Sequence, residues 1–156
     1  MRRAAVAASF IVAPLVAPLV APLVAGASSH AQTVKPGQRE VLLQATKAWN
    51  GDAYARYPAG TPQLTMLRVT IAAHTALPWH THPVPNVGYV LSGQLTIQDR
   101  ETGKSRTFQA GEAFAESVDD VHRGVAGDTP TVLILTYAGT PGLPTSKPVQ
   151  GGDKEY

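Results

Sequence analysis

The 156-residue sequence contains no cysteine. It therefore has no disulfide framework and no thiolate ligand for a metal, and no cysteine can carry a lipid anchor near its start. Charged residues make up only 15% of the chain. Because there is no basic stripe and no run of like charges, the chain lacks the electrostatic features of a nucleic-acid-binding protein. We therefore expect no nucleic acid among its partners.

Residues 1–31 have the features of a secretory signal peptide. Arg2 and Arg3 form a positively charged start, and an apolar stretch follows over residues 4–25. Ser29-His30-Ala31 then places small residues at the positions that a signal peptidase reads. We expect cleavage after residue 31, and hence a periplasmic or secreted protein.

A membrane anchor is the alternative for this segment, because the apolar stretch is long enough to span a bilayer. However, Pro14, Pro18 and Pro22 lie within it, and each removes a helix hydrogen bond. We therefore favour the signal peptide and expect no membrane contact after cleavage. Without Arg2 and Arg3 the chain has as many basic as acidic residues, 11 of each, so the mature protein is expected to be near neutral.

The rest of the chain divides into an N-terminal arm (residues 32–61), a β-rich core (62–140) and a Gly/Pro-rich C-terminal tail (141–156). In the arm, residues 40–44 predict a short strand. The aromatic side chains of the arm are expected to pack against the core: Trp49, Tyr54 and Tyr57. The tail is expected to be ordered over its first few residues at most.

The core has short alternating segments rich in Val, Ile, Leu and Thr, separated by Gly, Pro and Asp, and no segment with a helical period. This pattern is typical of an all-β sandwich or barrel. Ser92 and Gly93 are expected to form a tight hairpin turn. The predicted strands cover residues 63–71, 87–91, 94–98, 106–109, 111–116, 123–125 and 131–137.

Three histidines form a candidate metal site. His80 and His82 are two residues apart, so on a strand both imidazoles project from the same face. His122 lies about 40 residues further on, where an antiparallel neighbour could bring it back to them. Three neutral imidazoles leave coordination positions open for water or substrate. A His-x-His pair on a surface strand is the ordinary alternative.

The residues around these histidines resemble the cupin superfamily. Its two motifs, G-x5-H-x-H-x3,4-E-x6-G and G-x5-P-x-G-x2-H-x3-N, fit this chain without gaps. The identical positions are His80, His82, Gly93, Gly111 and His122, and the differing ones are His74, Asn86, Ser117, Asp119 and Ala126. The resemblance implies a single cupin barrel, a double-stranded β-helix or jelly roll, over residues 62–140. It also implies one divalent metal ion, which could be Fe, Mn, Ni, Cu or Zn.

The difference at Asn86 bears directly on the metal site, because the resemblance implies a carboxylate ligand there. An amide oxygen is a weaker donor and does not neutralise a cation. Asn86 is therefore a weak ligand, a partner of a metal-bound water, or a turn residue after Pro85. Glu116 is the candidate for a substitute carboxylate and for a catalytic proton-transfer group. His74 is expected at the rim or surface, with a ligand or acid–base role as the alternative.

Two functions remain open from the sequence. One is an exported metal-dependent dioxygenase or related oxidoreductase that acts on a small organic molecule. The other is a non-catalytic cupin that binds a small molecule or a metal. A homodimer is also expected, since a core of this size gains stability by covering its sheet faces.

Overall fold

A computed structural model describes residues 37–149, so the predicted signal peptide and residues 150–156 lie outside the described part. The chain divides into two units, residues 1–38 and residues 39–156, and the described residues lie almost entirely in the second. Within the described range there is no helix that could cross a membrane. The strands are β1 (Gln63–Ile71), β2 (His80–Thr81), β3 (Asn86–Ser92), β4 (Gln94–Asp99), β5 (Ser105–Gln109), β6 (Ala113–Glu116), β7 (His122–Ala126), β8 (Thr131–Gly139) and β9 (Lys147–Pro148).

The strands form two antiparallel sheets, and the described residues contain no helix. One sheet has the order β1-β8-β3-β6 and the other the order β5-β4-β7-β2-β9. The all-β jelly-roll prediction is therefore confirmed. The alternation read from the sequence also holds: along β8, Thr131, Leu133, Leu135 and Tyr137 are buried, and the residues between them are half-buried.

The apolar side chains of both sheets meet in one core. Phe108 and Phe114 belong to this core and come from different sheets, with their ring centroids 5.1 Å apart. Each fully buried side chain of this kind stabilises the fold by about 1.5–3 kcal/mol relative to its exposed state. The buried core residues are Ile71, Val84, Val90, Leu95, Ile97, Phe108, Phe114, Ala126, Leu133, Leu135 and Tyr137.

The Ser92–Gly93 step is a corner between the sheets and not a hairpin, so that prediction is wrong. β3 pairs with β6 and β8, whereas β4 pairs with β5 and β7. Gly93 adopts a positive φ of 80°. A Cβ atom there would lie 2.6 Å from the carbonyl oxygen of Pro130. Only glycine therefore lets the chain leave one sheet and enter the other within a single residue.

The arm differs from its prediction in two respects. Residues 40–44 form no strand, because their backbone pairs with no strand among the described residues. Trp49 does pack against the core, and Tyr54 donates a hydrogen bond from its hydroxyl to the Glu116 carbonyl oxygen at 2.6 Å. Tyr57, by contrast, is 73% exposed, so it does not serve as a packing residue.

The C-terminal segment is more ordered than the sequence suggested. β9 pairs with β2, and the Val149 amide donates to the Trp79 carbonyl oxygen at 3.1 Å. The expectation of order over only the first few tail residues is therefore wrong for residues 145–149. The physical reason is that β2 offers a free edge, and its backbone groups gain partners when β9 pairs with it.

Candidate metal centre

The register of the second sheet brings the three histidines together. His80 and His122 are directly opposite each other on β2 and β7. His82 follows His80 by two residues and faces the same way, as the strand period requires. All three side chains are buried, with exposures of 5%, 2% and 0% for His80, His82 and His122. The residues that the sequence separates by about 40 positions therefore lie in one cluster.

The three imidazole rings form a compact triangle. Their centroids are 4.8, 4.8 and 4.9 Å apart. Each ring offers one nitrogen as a ligand atom, and these atoms lie within 4.8 Å of one another. This cluster could hold a metal ion, since metal–nitrogen bonds are about 2.0–2.1 Å long. That it does so stays a prediction.

Backbone carbonyl groups set the protonation of each imidazole. Nδ1 of His80 lies 2.8 Å from the Pro78 oxygen, and Nδ1 of His82 lies 2.7 Å from the Thr145 oxygen. Nδ1 of His122 lies 2.9 Å from the Asp120 oxygen. A carbonyl oxygen only accepts, so each Nδ1 must carry the proton. In the neutral ring Nε2 is then the lone-pair atom, which is the arrangement found in metal-ligating histidines.

Glu116 projects from β6 into the same cluster. Its Oε2 lies 3.0 Å from His82 Nε2, and its Oε1 lies 3.8 Å from His122 Nε2. A carboxylate oxygen and an imidazole lone pair repel each other, so a contact of this kind needs a proton or a cation between the two atoms. The donor set therefore suits a divalent ion.

The pKa shifts of Glu116 and His122 have opposing causes. Burial raises the pKa of Glu116, but the positive charge that His82, His122 and His80 carry when protonated outweighs it and lowers the pKa to about 2. Burial lowers the pKa of His122 to about 4, although Glu116 opposes the shift. At neutral pH Glu116 is therefore ionised and His122 is neutral, and these are the forms that bind metals.

Asn86 has a contact that none of its three predicted roles included. It begins β3, is buried, and lies directly opposite Glu116 on β6. Its Nδ2 donates to Glu116 Oε2 at 2.7 Å. Because Asn86 is a strand residue, the turn role is wrong. A direct or water-mediated metal contact stays a prediction.

His74 and Arg123 lie outside the cluster. The His74 side chain is 73% exposed and pairs with Asp128 at 3.7 Å, which agrees with the expected rim position. The Arg123 guanidinium lies over the Trp79 ring, 4.4 Å from its centroid. Its Nε donates to Gln98 Oε1 at 2.8 Å. Arg123 therefore faces away from the histidines, as the strand alternation predicts.

Two of the three histidines, His80 and His82, line a cavity of about 280 Å³. Its polar lining consists of His80, His82, Glu116, Tyr137, Thr145 and Ser146. The aliphatic residues that line it are Leu67, Val69, Leu77, Leu95, Leu133 and Leu135.

Sequence reasoning missed three of these residues. The parity of β8 could have placed Tyr137 inside, together with Leu133 and Leu135. No local signal marks Thr145 and Ser146, because their place depends on the pairing of β9 with β2.

Comparison with known proteins relates the described core to a known family. Residues 67–137 match the family model described as the cupin domain. A DMSP lyase from Ruegeria pomeroyi has the same fold, with 18% identity, a TM-score of 0.50, and coverage of 59% of this chain and 45% of that one. No curated protein matches the chain.

Two further solved structures are similar to parts of the chain. An oxalate oxidase is 27% identical with a TM-score of 0.45, over 51% of this chain and 44% of that one. An RmlC-like cupin from Shewanella frigidimarina is 22% identical with a TM-score of 0.44, over 51% and 68%. The chain thus spans less than half the length of the oxalate oxidase and the DMSP lyase.

Proposed function

We propose that this protein is an exported, metal-dependent cupin that acts as an oxidoreductase of the dioxygenase type on a small organic molecule. One observation carries the metal part of the proposal: three carbonyl groups hold the protons of His80, His82 and His122 on Nδ1. Nε2 is then the lone-pair atom of each ring, and His80 and His82 line a cavity of about 280 Å³. A bound divalent ion would supply Lewis-acid or redox chemistry at its open positions.

The protein residues have separate tasks in this proposal. The three histidines would hold the ion, and their carbonyl partners would keep the rings in the ligating tautomer. Glu116 would supply negative charge next to the ion. The aliphatic wall would lower the local dielectric constant and so strengthen electrostatic interactions at the polar end. The donor set of three imidazoles and a carboxylate suits Fe, Mn, Ni, Cu or Zn.

The residues that line the cavity also restrict which small molecules can bind there. Six aliphatic side chains form much of its wall, and no lysine or arginine is among its described lining residues. A charged group placed against this wall would lose its hydration without gaining a partner. We therefore expect a molecule with one polar group that reaches the metal end and a body that is mainly apolar. A dicarboxylate or a phosphate ester does not meet this condition.

A non-catalytic binding module is the second candidate, because the same cavity could retain a ligand without converting it. The donor set favours the enzyme, because three imidazoles and one carboxylate would leave coordination positions on an ion for O₂ and a substrate. Glu116 is buried and touches two of the three histidines.

The distinguishing experiment starts from protein purified from its own compartment. Metal analysis and mass spectrometry would identify the bound ion and any co-purified small molecule. That molecule would then be incubated in air with Fe-, Mn-, Ni-, Cu- and Zn-loaded protein. We expect conversion with at least one redox-active ion, none with Zn, and none with His82→Ala. Tight binding without conversion under every condition would instead establish the binding module.

Export is a separate part of the proposal. It is supported by Arg2 and Arg3, the apolar stretch and the Ser29-His30-Ala31 site. The exported protein should begin at Gln32, within a few residues, when its intact mass is measured. A membrane-bound chain that still begins at Met1 would contradict export.

We also propose that the protein forms a homodimer through the outer face of the β1-β8-β3-β6 sheet. Met66 and Val87 are 70% and 44% exposed on this face, and the register places them in one row on either side of Thr136. Neighbouring exposed apolar side chains of this kind favour association. Sedimentation should show a dimer that Met66→Glu weakens, and a wild-type protein that stays monomeric at high concentration would exclude it.

A further inference from the structure

Asn86 and Glu116 form a buried pair across β3 and β6. They are direct cross-strand partners, and their exposures are 3% and 7%. The amide of Asn86 donates to Oε2 of Glu116 at 2.7 Å. The same Oε2 atom lies 3.0 Å from Nε2 of His82. One carboxylate oxygen is therefore held between an amide donor and the histidine cluster.

The charge of the site indicates why this carboxylate is there. Three neutral imidazoles cancel none of the charge of a divalent ion, and an uncompensated charge is very unfavourable in a buried site. Glu116 is the carboxylate that contacts His82 and His122. Its second oxygen, Oε1, faces His122 Nε2 at 3.8 Å. A cation among these nitrogens would thus have a carboxylate oxygen within reach.

We propose that Glu116 is the fourth protein ligand of the metal ion, and that Asn86 is a positioning residue that holds the Glu116 carboxylate toward the ion. This inference rests on the proposed three-histidine site. It assigns the ligand role to Glu116 in place of the proton-transfer role. The amide of Asn86 suits its task because it donates a hydrogen bond without adding a second negative charge beside the carboxylate.

The first test measures zinc affinity by competition with a chromophoric chelator. Loss of partners that only orient a metal ligand lowers affinity about 10- to 100-fold, so Glu116→Gln, which removes a direct ligand, should lower it by about 100-fold or more. Asn86→Ala should lower it by about 10-fold. Glu101→Gln is the matched control, because Glu101 is an exposed carboxylate that does not line the cavity. It should leave the affinity unchanged.

The second test exchanges the two side chains. Asn86→Glu combined with Glu116→Asn returns a carboxylate and an amide to the same cross-strand pair. Zinc affinity in this double variant should recover to within about 10-fold of wild type, because both residues act through one ion. The Co(II) absorption spectrum should change in Asn86→Ala, which a purely structural role for Asn86 would not produce.

A third test uses the wild-type protein and therefore does not depend on whether the variants fold. With ¹³C-labelled glutamate, zinc addition should shift the infrared carboxylate bands of a single glutamate. No shift, or a Glu116→Gln variant that retains zinc as Glu101→Gln does, would overturn the assignment. The proposed metal site fails separately, if wild type binds no zinc or His82→Ala binds it as tightly as wild type.

Discussion

The C-terminal segment contacts the proposed metal site, and a shortened chain tests whether this contact matters for metal binding. A chain that ends after Pro144 lacks the Thr145 carbonyl oxygen, which accepts from Nδ1 of His82 at 2.7 Å. It also lacks β9, the pairing partner of β2. Nδ1 of His82 would then be free to lose its proton to Nε2 or to turn toward solvent. We therefore expect the shortened protein to hold its metal less tightly.

The expected magnitude follows from the contacts that are removed. Loss of an outer partner of a metal-ligating histidine weakens metal affinity about 10- to 100-fold, which corresponds to about 1.4–2.7 kcal/mol. The backbone hydrogen bonds between β9 and β2 add to stability independently of the metal. Each contributes about 0.5–1.5 kcal/mol, so the metal-free protein should also lose about 1–3 kcal/mol of unfolding free energy.

The assay is zinc release to a competing chelator, together with urea unfolding of the metal-free protein. A chain that ends after Val149 is the matched control, because it keeps the whole described segment. It should behave like the full-length protein. If the chain that ends after Pro144 releases zinc at the same chelator concentration as this control, the Thr145 contact does not support the site.

Three further predictions concern packing, pH and charge. Gly88→Ala would place a Cβ atom 2.1 Å from Phe114 Cζ, so urea unfolding should show a free energy of unfolding lower by about 1–3 kcal/mol. An unchanged urea midpoint would contradict this close packing. Burial lowers the pKa of His122 to about 4, below its usual 6.5. As the pH falls, His122 is therefore protonated in the unfolded chain at a higher pH than in the folded protein. Metal-free protein should therefore lose up to about 3 kcal/mol as pH falls from about 6.5 to 4, and a flat urea midpoint over this range would contradict it. Asn86→Glu puts a second carboxylate against Glu116, so the variant should have a lower melting temperature than wild type without zinc and a larger stabilisation by zinc. Equal melting temperatures without zinc would exclude close contact between residues 86 and 116.

Much of the fold and part of the candidate site could be predicted because they depend on local periodicity. The alternation along residues 63–71 and 131–137 identified β1 and β8, since a strand with one buried face must alternate. His80 and His82 were expected on one face for the same reason. The spacing to His122 indicated a returning strand, and the structure pairs it directly with His80.

The features that could not be predicted depend on which strands become neighbours. The alternation of β3 allows either Val90 or its neighbours Tyr89 and Leu91 to face the core, and in the structure Val90 is buried in the cluster that contains Phe114 and Leu133. The corner at Gly93 looked like a hairpin turn because a turn residue does not reveal the sheet to which the next strand belongs.

The chemistry of the site depends on register in the same way. Asn86 and Glu116 are 30 residues apart, and only the pairing of β3 with β6 makes them partners. The Thr145 carbonyl reaches His82 across 63 residues, once β9 has paired with β2. The sequence by itself thus determined the strands and the ligand types. The tertiary structure decided which carboxylate and which carbonyl meet the histidines, because strand register is set by contacts between distant segments and leaves no local pattern.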